Sequence, residues 1–177
     1  MLASPVKALL LLNVEPEFDC VDGVAALNAL TDAEFVVTLS PWLTSSAAEH
    51  ADVILPIGTF AETSGTFVNV EGTWQSFQGV AQPVGEARPA WKVLRVLGNL
   101  LKAPDFDYQS SEDVCEELRA ETMAKLPEGA PNLEAASAVS VKPSDLSVPL
   151  NSVDALVRRA ESLQRTCNAN PGWRKTA

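Results

Sequence analysis

The residues best suited to bind a metal are three cysteines and one histidine, and they lie far apart in the sequence. Cys20, Cys115 and Cys167 are at least 52 positions from one another, and His50 is the only imidazole. An iron–sulfur cluster or a structural zinc ion normally needs four cysteine or histidine ligands, usually closely spaced. Because no CxxC motif or Cys-His pair is present, the sequence predicts no metal site.

Catalysis by a side chain is also poorly supported. Any serine nucleophile would need His50 as its base, and a single histidine near the end of a short helix is more often a cap or a packed residue. Glu15 and Glu62 could approach a common crevice, but glutamates at loop ends are usually solvated. No GxGxxG or GxxxxGK[ST] motif is present to hold a phosphate. We therefore predict no catalytic residue, and we expect the isolated chain to be non-catalytic.

The elements that would position these residues form an alternating pattern. Leu9–Leu12, Phe35–Leu39 and Val53–Leu55 are short apolar runs that suit the strands of a parallel sheet. Helical patterns lie between them over Val21–Leu30 and Thr44–Ala51. The sequence therefore predicts an α/β fold built on a partial Rossmann-like β-α-β-α-β sheet with right-handed crossovers.

Ligands of such a sheet bind outside the carboxyl ends of its strands. Those ends are Asn13–Pro16, Ser40–Trp42 and Pro56–Thr59, and we call the region that they share the strand-end crevice. Its candidate binding residues are Asn13, Glu15, Pro16, Ser40, Trp42 and Thr44.

Further elements follow the predicted sheet. Thr66–Val70 and Thr73–Phe77 flank Glu71-Gly72, which is typical of a tight hairpin. Helices are predicted over Ala90–Leu101 and from Tyr108 to Lys125. The sequence thus divides into a Rossmann-like subdomain, 1–104, and a helical extension, 105–126.

The last third of the chain is predicted to contain a linker and a helix. Four prolines between 127 and 150 indicate an extended, Pro-rich linker. Residues 151–177 are predicted to form an amphipathic helix over Asn151–Arg165, with Asp154 and Arg158 paired one turn apart, and then a tail.

Composition excludes some classes of partner. The chain carries 13 basic and 23 acidic residues, a net charge of −10, so no basic face is expected for nucleic acid. The longest apolar run, Ala8–Leu12, is far shorter than the roughly 20 residues needed to cross a bilayer. We expect a soluble, cytoplasmic protein without direct membrane insertion.

Several motifs resemble those of a known superfamily. The run Ala51-Asp-Val-Ile-Leu-Pro56, followed by Glu62 and Gly65-Thr-Phe67, resembles the signature of the molybdopterin oxidoreductases. The segments Glu71–Phe77 and Gly85–Gly98 resemble more narrowly the large iron–sulfur subunit of bacterial NADH:quinone oxidoreductase, respiratory complex I.

The resemblance implies a redox-inert structural segment that supports electron transfer from NADH to quinone. The parent subunit would carry its iron–sulfur clusters outside this segment, and the partners would be other peripheral-arm subunits and the rest of the parent chain. It also implies a cytoplasmic location, peripheral to the inner (plasma) membrane as part of a complex.

Departures from the superfamily pattern imply that this segment binds no cofactor. Members that hold molybdenum typically have Gly-x-Asn-Pro at the first strand end, whereas this chain has Asn13–Pro16, with Glu15 where an amide would face phosphate. Ser40 stands where the family often has an acid, and Thr73 stands where it often has arginine. The candidate residues of the strand-end crevice are therefore expected to be vestigial.

Two other interpretations stay open. The chain could be a fragment of a true molybdopterin-dependent oxidoreductase, such as a formate-dehydrogenase-like subunit, with loops 13–16 and 40–44 lining the nucleotide site. It could instead be an independent α/β module that binds a small nucleotide. In addition, because a partial sheet exposes apolar edges and faces, we expect the isolated chain to self-associate.

Overall fold

The computed structural model describes residues 6–125, 149–166 and 169. The predicted linker, 127–150, and the tail beyond 166 lie largely outside these ranges, as do Cys167 and Trp173.

The main sheet has three parallel strands in the order β1-β2-β3. They are β1 (Ala8–Leu12), β2 (Phe35–Ser40) and β3 (Val53–Pro56). Their continuous apolar runs favour this arrangement, and Leu39 in the central strand is 0% exposed. The predicted α/β class and the β-α-β-α-β order are confirmed.

Three helices connect these strands: α1 (Pro16–Asp19), α2 (Gly23–Asp32) and α3 (Ser45–His50). Asp22 caps α2 by accepting a hydrogen bond from the Ala25 amide at 2.9 Å, and Thr44 caps α3 in the same way. Side chains of α2 and α3 line one small void together with Val36 and Thr38, so both helices cover the same face of the sheet. Both connections step in the same direction across the sheet, from β1 to β2 and from β2 to β3. Two right-handed crossovers in the same direction place their helices on the same face.

The rest of the sheet surface, which we call the open face, is apolar and partly open to solvent. It carries Leu10, Leu12, Phe35 and Val53, which are 50%, 41%, 46% and 38% exposed. Parallel sheets are normally covered on both faces, so the open face is suited to bind further protein.

We expect the isolated chain to self-associate through this open face. Replacing Leu10 and Phe35 together by lysine should shift the chain toward monomer, because the two charges cannot be buried in an apolar contact. Sedimentation velocity measures the change. The control, Val21→Lys, adds a charge at a side chain that is 96% exposed and should leave association unchanged. A wild-type chain that is a monodisperse monomer with one cooperative thermal transition would contradict the prediction.

The predicted hairpin forms, with a longer loop than expected. Its strands are β4 (Gly65–Val68) and β5 (Trp74–Phe77). The two-residue connection predicted at Glu71-Gly72 is wrong, because the loop spans 69–73. Asn69 closes that loop early: its side-chain oxygen accepts the amides of Glu71 and Thr73 at 3.0 and 2.9 Å.

Two longer helices follow the hairpin, α4 (Ala90–Leu100) and α5 (Ser111–Lys125), in agreement with the sequence pattern. Gly98 of α4 is buried against the ring of Phe106, in the connection to α5. Among the described residues, no helix is long and apolar enough to cross a membrane.

The continuous helix predicted over Asn151–Arg165 is wrong. The chain instead forms 3-10 turns at Leu150–Ser152 and Val157–Arg159 and a short helix, α6 (Glu161–Gln164). Asp154 does not pair with Arg158 through its side chain; it accepts the amides of Leu156 and Val157, which starts a new turn. We call residues 149–166 the strap, and residues 6–125 the body.

Candidate functional site

The site begins where β1 ends. Asn13 adopts a left-handed conformation (φ 52°), and its amide still donates to the Leu39 carbonyl at 2.8 Å. The chain then turns into α1, where the Glu15 amide donates to the Asp19 carboxylate at 2.7 Å. These bonds fix the backbone of Glu15, whose side chain is only 8% exposed.

Two arginines of the strap neutralise the Glu15 carboxylate. Its Oε2 lies 3.2 Å from Nη1 of Arg158, and its Oε1 lies 2.8 Å from Nη1 of Arg159. Arg158 also donates through Nη2 to Oδ1 of Asp19 at 2.7 Å. The cluster therefore contains two carboxylates and two guanidinium groups, and its formal charge is balanced.

An aromatic ring lies against each guanidinium group. Arg158 lies 4.5 Å from the centroid of Phe18, and Arg159 lies 4.6 Å from the centroid of Trp42. Each arginine thus has an acidic partner and an aromatic partner, an arrangement that suits the flat, weakly hydrated guanidinium group.

The charge of Arg158 is strongly favoured in this setting. Burial alone would lower the pKa of Arg158, since its side chain is only 6% exposed. The hydrogen bond to Asp19 and the nearby charges of Glu15 and Asp19 outweigh that penalty and raise the pKa above its ordinary value. Arg158 therefore stays protonated.

The polar groups at the end of β2 are already engaged. The Ser40 hydroxyl donates to the Trp42 carbonyl at 2.9 Å and accepts from the Trp42 amide at 3.1 Å. Thr44 accepts the Ala47 amide at 3.0 Å as the cap of α3. Both hydroxyl groups therefore already have hydrogen-bond partners within the chain.

A cleft of about 570 Å³ lies between the strand ends and the strap. Asn13, Trp42, Thr59 and Phe60 of the body line it, and residues 154–156 of the strap form the facing wall. The cleft at the predicted crevice is therefore partly built by the strap.

The structure divides the six predicted crevice residues into separate groups. Asn13 and Trp42 line the cleft, and Glu15 lies in the charge cluster. Pro16 and Thr44 face a different, very small void on the helix side of the sheet, and Ser40 is buried. The six residues do not converge on one ligand.

Sequence reasoning misses the strap arginines and their partners. The spacing of Arg158 from Asp154 favours an ion pair within a helix. No nearby motif identifies Arg159, Asp19 or Phe18 as residues of a site. The only signal in the sequence is weak: two adjacent arginines in a chain of net charge −10. Their partners are more than a hundred positions away, so sequence spacing could not identify them.

The other chemical candidates remain isolated from one another. His50 lies 3.4 Å from the Thr31 hydroxyl through Nδ1, and the Cys115 thiol lies 3.5 Å from the Thr66 hydroxyl. Within the described part of the chain, no three histidine, cysteine or acidic side chains are grouped so as to hold a metal ion.

Glu62, which the sequence allows to approach the crevice, stabilises the turn that follows β3. Its carboxylate accepts the Thr59 amide at 2.8 Å and the Thr59 hydroxyl at 2.9 Å. These bonds, the backbone one most strongly, lower the pKa of Glu62 below its ordinary value of 4.5.

Because the folded-state pKa of Glu62 is lowered, its contribution to stability is present above pH 4.5 and is lost as the pH falls further. We expect Glu62→Gln to lower the melting temperature at pH 7 and to have a smaller effect near pH 3. Thermal melts across this pH range measure the difference. The control is Glu71→Gln, at an exposed position in the hairpin loop, and a constant difference between wild type and Glu62→Gln at all pH values would contradict the prediction.

Comparison with known proteins identifies the family. Residues 1–100 match the family model described as molybdopterin oxidoreductase. The chain is 33% identical over 118 residues to the alpha subunit of the F420-dependent formate dehydrogenase of Methanocaldococcus jannaschii, covering 66% of this chain and 17% of that protein. It is also 33% identical over 115 residues to the assimilatory nitrate reductase catalytic subunit of Bacillus subtilis, covering 64% of this chain and 16% of the relative.

A solved structure agrees with the sequence comparisons. Acetylene hydratase from Pelobacter acetylenicus superposes with a TM-score of 0.52 and 25% sequence identity, over 60% of this chain and 15% of that one. The chain thus spans about a sixth of the length of these proteins. Since the family model matches more than half of its residues, the chain belongs to the molybdopterin oxidoreductase family.

Proposed function

We propose that the chain is a redox-inert structural segment of the large iron–sulfur subunit of an NADH:quinone oxidoreductase. In this role it supports electron transfer from NADH to quinone and binds no cofactor itself. The observation that carries the absence of a cofactor is the strand-end crevice, where the buried Glu15 carboxylate is neutralised by Arg158 and Arg159 of the same chain. The assignment to this complex rests on the resemblance of Glu71–Phe77 and Gly85–Gly98 to that subunit.

The residues present do not fit an anionic pterin nucleotide. A phosphate at a strand end needs free amides or cationic side chains, and both nearby guanidinium groups are already bound to carboxylates. Because two carboxylates balance the two guanidinium groups, the cluster offers no net positive charge to attract a phosphate. The Ser40 hydroxyl is also engaged in its own turn.

We further propose that the open face of the sheet contacts the remainder of the parent chain or other peripheral-arm subunits. The supporting observation is the set of half-exposed apolar side chains on that face, which includes Leu10 and Phe35. On this proposal the segment lies in the cytoplasm, on an assembly peripheral to the inner membrane.

The test is to measure molybdenum and oxidised-pterin fluorescence in the full-length parent protein, purified from its own host. We expect neither signal, and we expect the parent to co-purify with NADH-oxidising activity. Stoichiometric pterin would overturn the proposal. If the parent lacks pterin and does not co-purify with NADH-oxidising activity, the segment binds no cofactor, but its assignment to this complex is wrong.

A second candidate function is favoured by the sequence comparisons. The 33% identity to a formate dehydrogenase and to a nitrate reductase supports a fragment of a molybdopterin-dependent oxidoreductase. This candidate requires Glu15 to leave Arg158 and Arg159 so that an anion can enter. Stoichiometric pterin in the parent protein is the outcome that would favour it.

A further inference from the structure

The strap is a small unit with its own internal hydrogen bonds. The Gln164 side-chain amide donates to the carbonyls of Asn151 and Val157 at 2.8 and 2.9 Å. The Asn151 side-chain amide donates in turn to the Leu163 carbonyl and to the Thr166 hydroxyl. These bonds join the two ends of the strap.

The strap is attached to the body by charge. Between the described residues of the two parts, the hydrogen bonds and ion pairs come from Arg158 and Arg159. Apolar contact supports this attachment only in part, since Val153, Leu156 and Leu163 of the strap remain 57%, 53% and 39% exposed. The polar part of the attachment depends on two guanidinium groups.

These ionic contacts are poorly suited to permanent closure. Arg158 Nη1 is buried 3.2 Å from Glu15, yet it makes no hydrogen bond of acceptable geometry. Burying an ion pair costs desolvation that imperfect geometry does not fully repay. The side chains of Arg159 and Asp19 are 28% and 31% exposed, so salt can screen part of the network.

We propose that the strap is a releasable latch and that the body carries a socket for two consecutive arginines. The socket consists of Glu15, Phe18, Asp19 and Trp42. Glu15 contacts both guanidinium groups, Asp19 and Phe18 contact Arg158, and Trp42 contacts Arg159. Its occupant is the Arg158-Arg159 pair of the same chain. Release of the latch removes the strap wall of the cleft and uncovers the ring of Trp42, against which Arg159 lies. The proposal does not depend on the proposed function, because it concerns attachment of the strap whether or not a cofactor is bound.

Limited trypsin digestion tests the latch, because trypsin cleaves after an arginine only when that side chain can enter its pocket. Single-cut products of the full chain are counted by intact mass at low conversion. Arg165, whose side chain is 79% exposed, serves as an internal reference on the strap. We expect cleavage after Arg158 or Arg159 to be about tenfold slower than cleavage after Arg165, the factor expected for charge-assisted hydrogen bonds that must break first.

The double variant Glu15→Gln/Asp19→Asn should abolish this protection while cleavage after Arg95 stays slow. Arg95 lies in the body and is held by the Tyr108 carbonyl, so it reports whether the body is folded. A second double variant, Arg158→Lys/Arg159→Lys, keeps the positive charges and the trypsin sites but loses the planar guanidinium groups. It should be cut faster than wild type at positions 158 and 159. The matched control is Glu34→Gln, which removes an exposed ion pair with Lys7 and should change nothing.

Two outcomes would overturn the latch: wild-type cleavage after Arg158 as fast as after Arg165, or protection that survives the double variant. If the double variant unfolds, as shown by fast cleavage after Arg95, the latch is tested instead by a salt titration of the wild-type chain. Raising sodium chloride from about 0.05 M to about 0.5 M should speed cleavage after Arg158 and leave Arg95 protected, because screening grows over that range. A flat response to salt would reject the proposal.

Discussion

Replacing Leu39 by alanine is expected to lower the free energy of unfolding by about 3 kcal/mol. Leu39 is fully buried in the central strand, where its neighbours in register are Leu12 of β1 and Leu55 of β3. Truncation removes buried methyl groups and leaves a cavity over one face of the sheet, and the ladders on both sides of β2 keep the backbone from moving in to fill it. Urea denaturation followed by far-ultraviolet circular dichroism measures the change.

The matched control for this prediction is Leu43→Ala. Leu43 lies just beyond the same strand and is 75% exposed, so its truncation should change stability by less than about 0.5 kcal/mol. Equal effects at the two positions would show that Leu39 does not form the centre of the core.

Replacing Gly98 by valine is expected to destabilise the chain by about 3 kcal/mol through overpacking. A Cβ at this position would stand 2.5 Å from Cγ and Cε1 of Phe106, much closer than van der Waals contact. The ring must then move and open the contact between α4 and the connection to α5. Thermal and urea denaturation should both report the loss.

Asn99→Val separates overpacking from helix propensity. Asn99 is the next residue of α4 and is exposed, so its replacement measures the cost of a β-branched side chain in the same helix. Combining Gly98→Val with Phe106→Ala should cost less than the sum of the two single changes, since the smaller side chain removes the overlap. If the two costs are strictly additive, the side chain introduced at position 98 does not clash with Phe106.

The sheet could be predicted from sequence because its signal is local. Apolar runs such as Ala8–Leu12 are too short for helices and too continuous for surface strands, as expected for the strands of a buried parallel sheet. The helix over Ala90–Leu101 could be predicted for a similar reason, since its apolar residues recur within a few positions.

The strap could not be predicted because its conformation depends on distant charges. The amphipathic pattern of Asn151–Arg165 favours a helix when taken alone. In the structure Asp154 caps a turn, and Arg158 and Arg159 extend toward Glu15 and Asp19, which lie more than a hundred positions earlier. Helix propensity differs by less than about 1 kcal/mol per residue, which is smaller than a few charge-assisted hydrogen bonds. Tertiary contacts therefore decide the local structure here.

The separation between the strap arginines and their carboxylates has a kinetic consequence. The contacts from Arg158 to Asp19 and from Arg159 to Glu15 join residues 139 and 144 positions apart, whereas neighbouring strands of the sheet are consecutive in the chain. Closing so long a loop costs conformational entropy. The contacts of Arg158 and Arg159 can offset that cost only after the body has folded and brought Glu15 and Asp19 together. The body must therefore fold first, and the strap must dock onto a finished surface. Substitutions in the strap should leave the refolding rate unchanged and act on the rate at which the docked state opens.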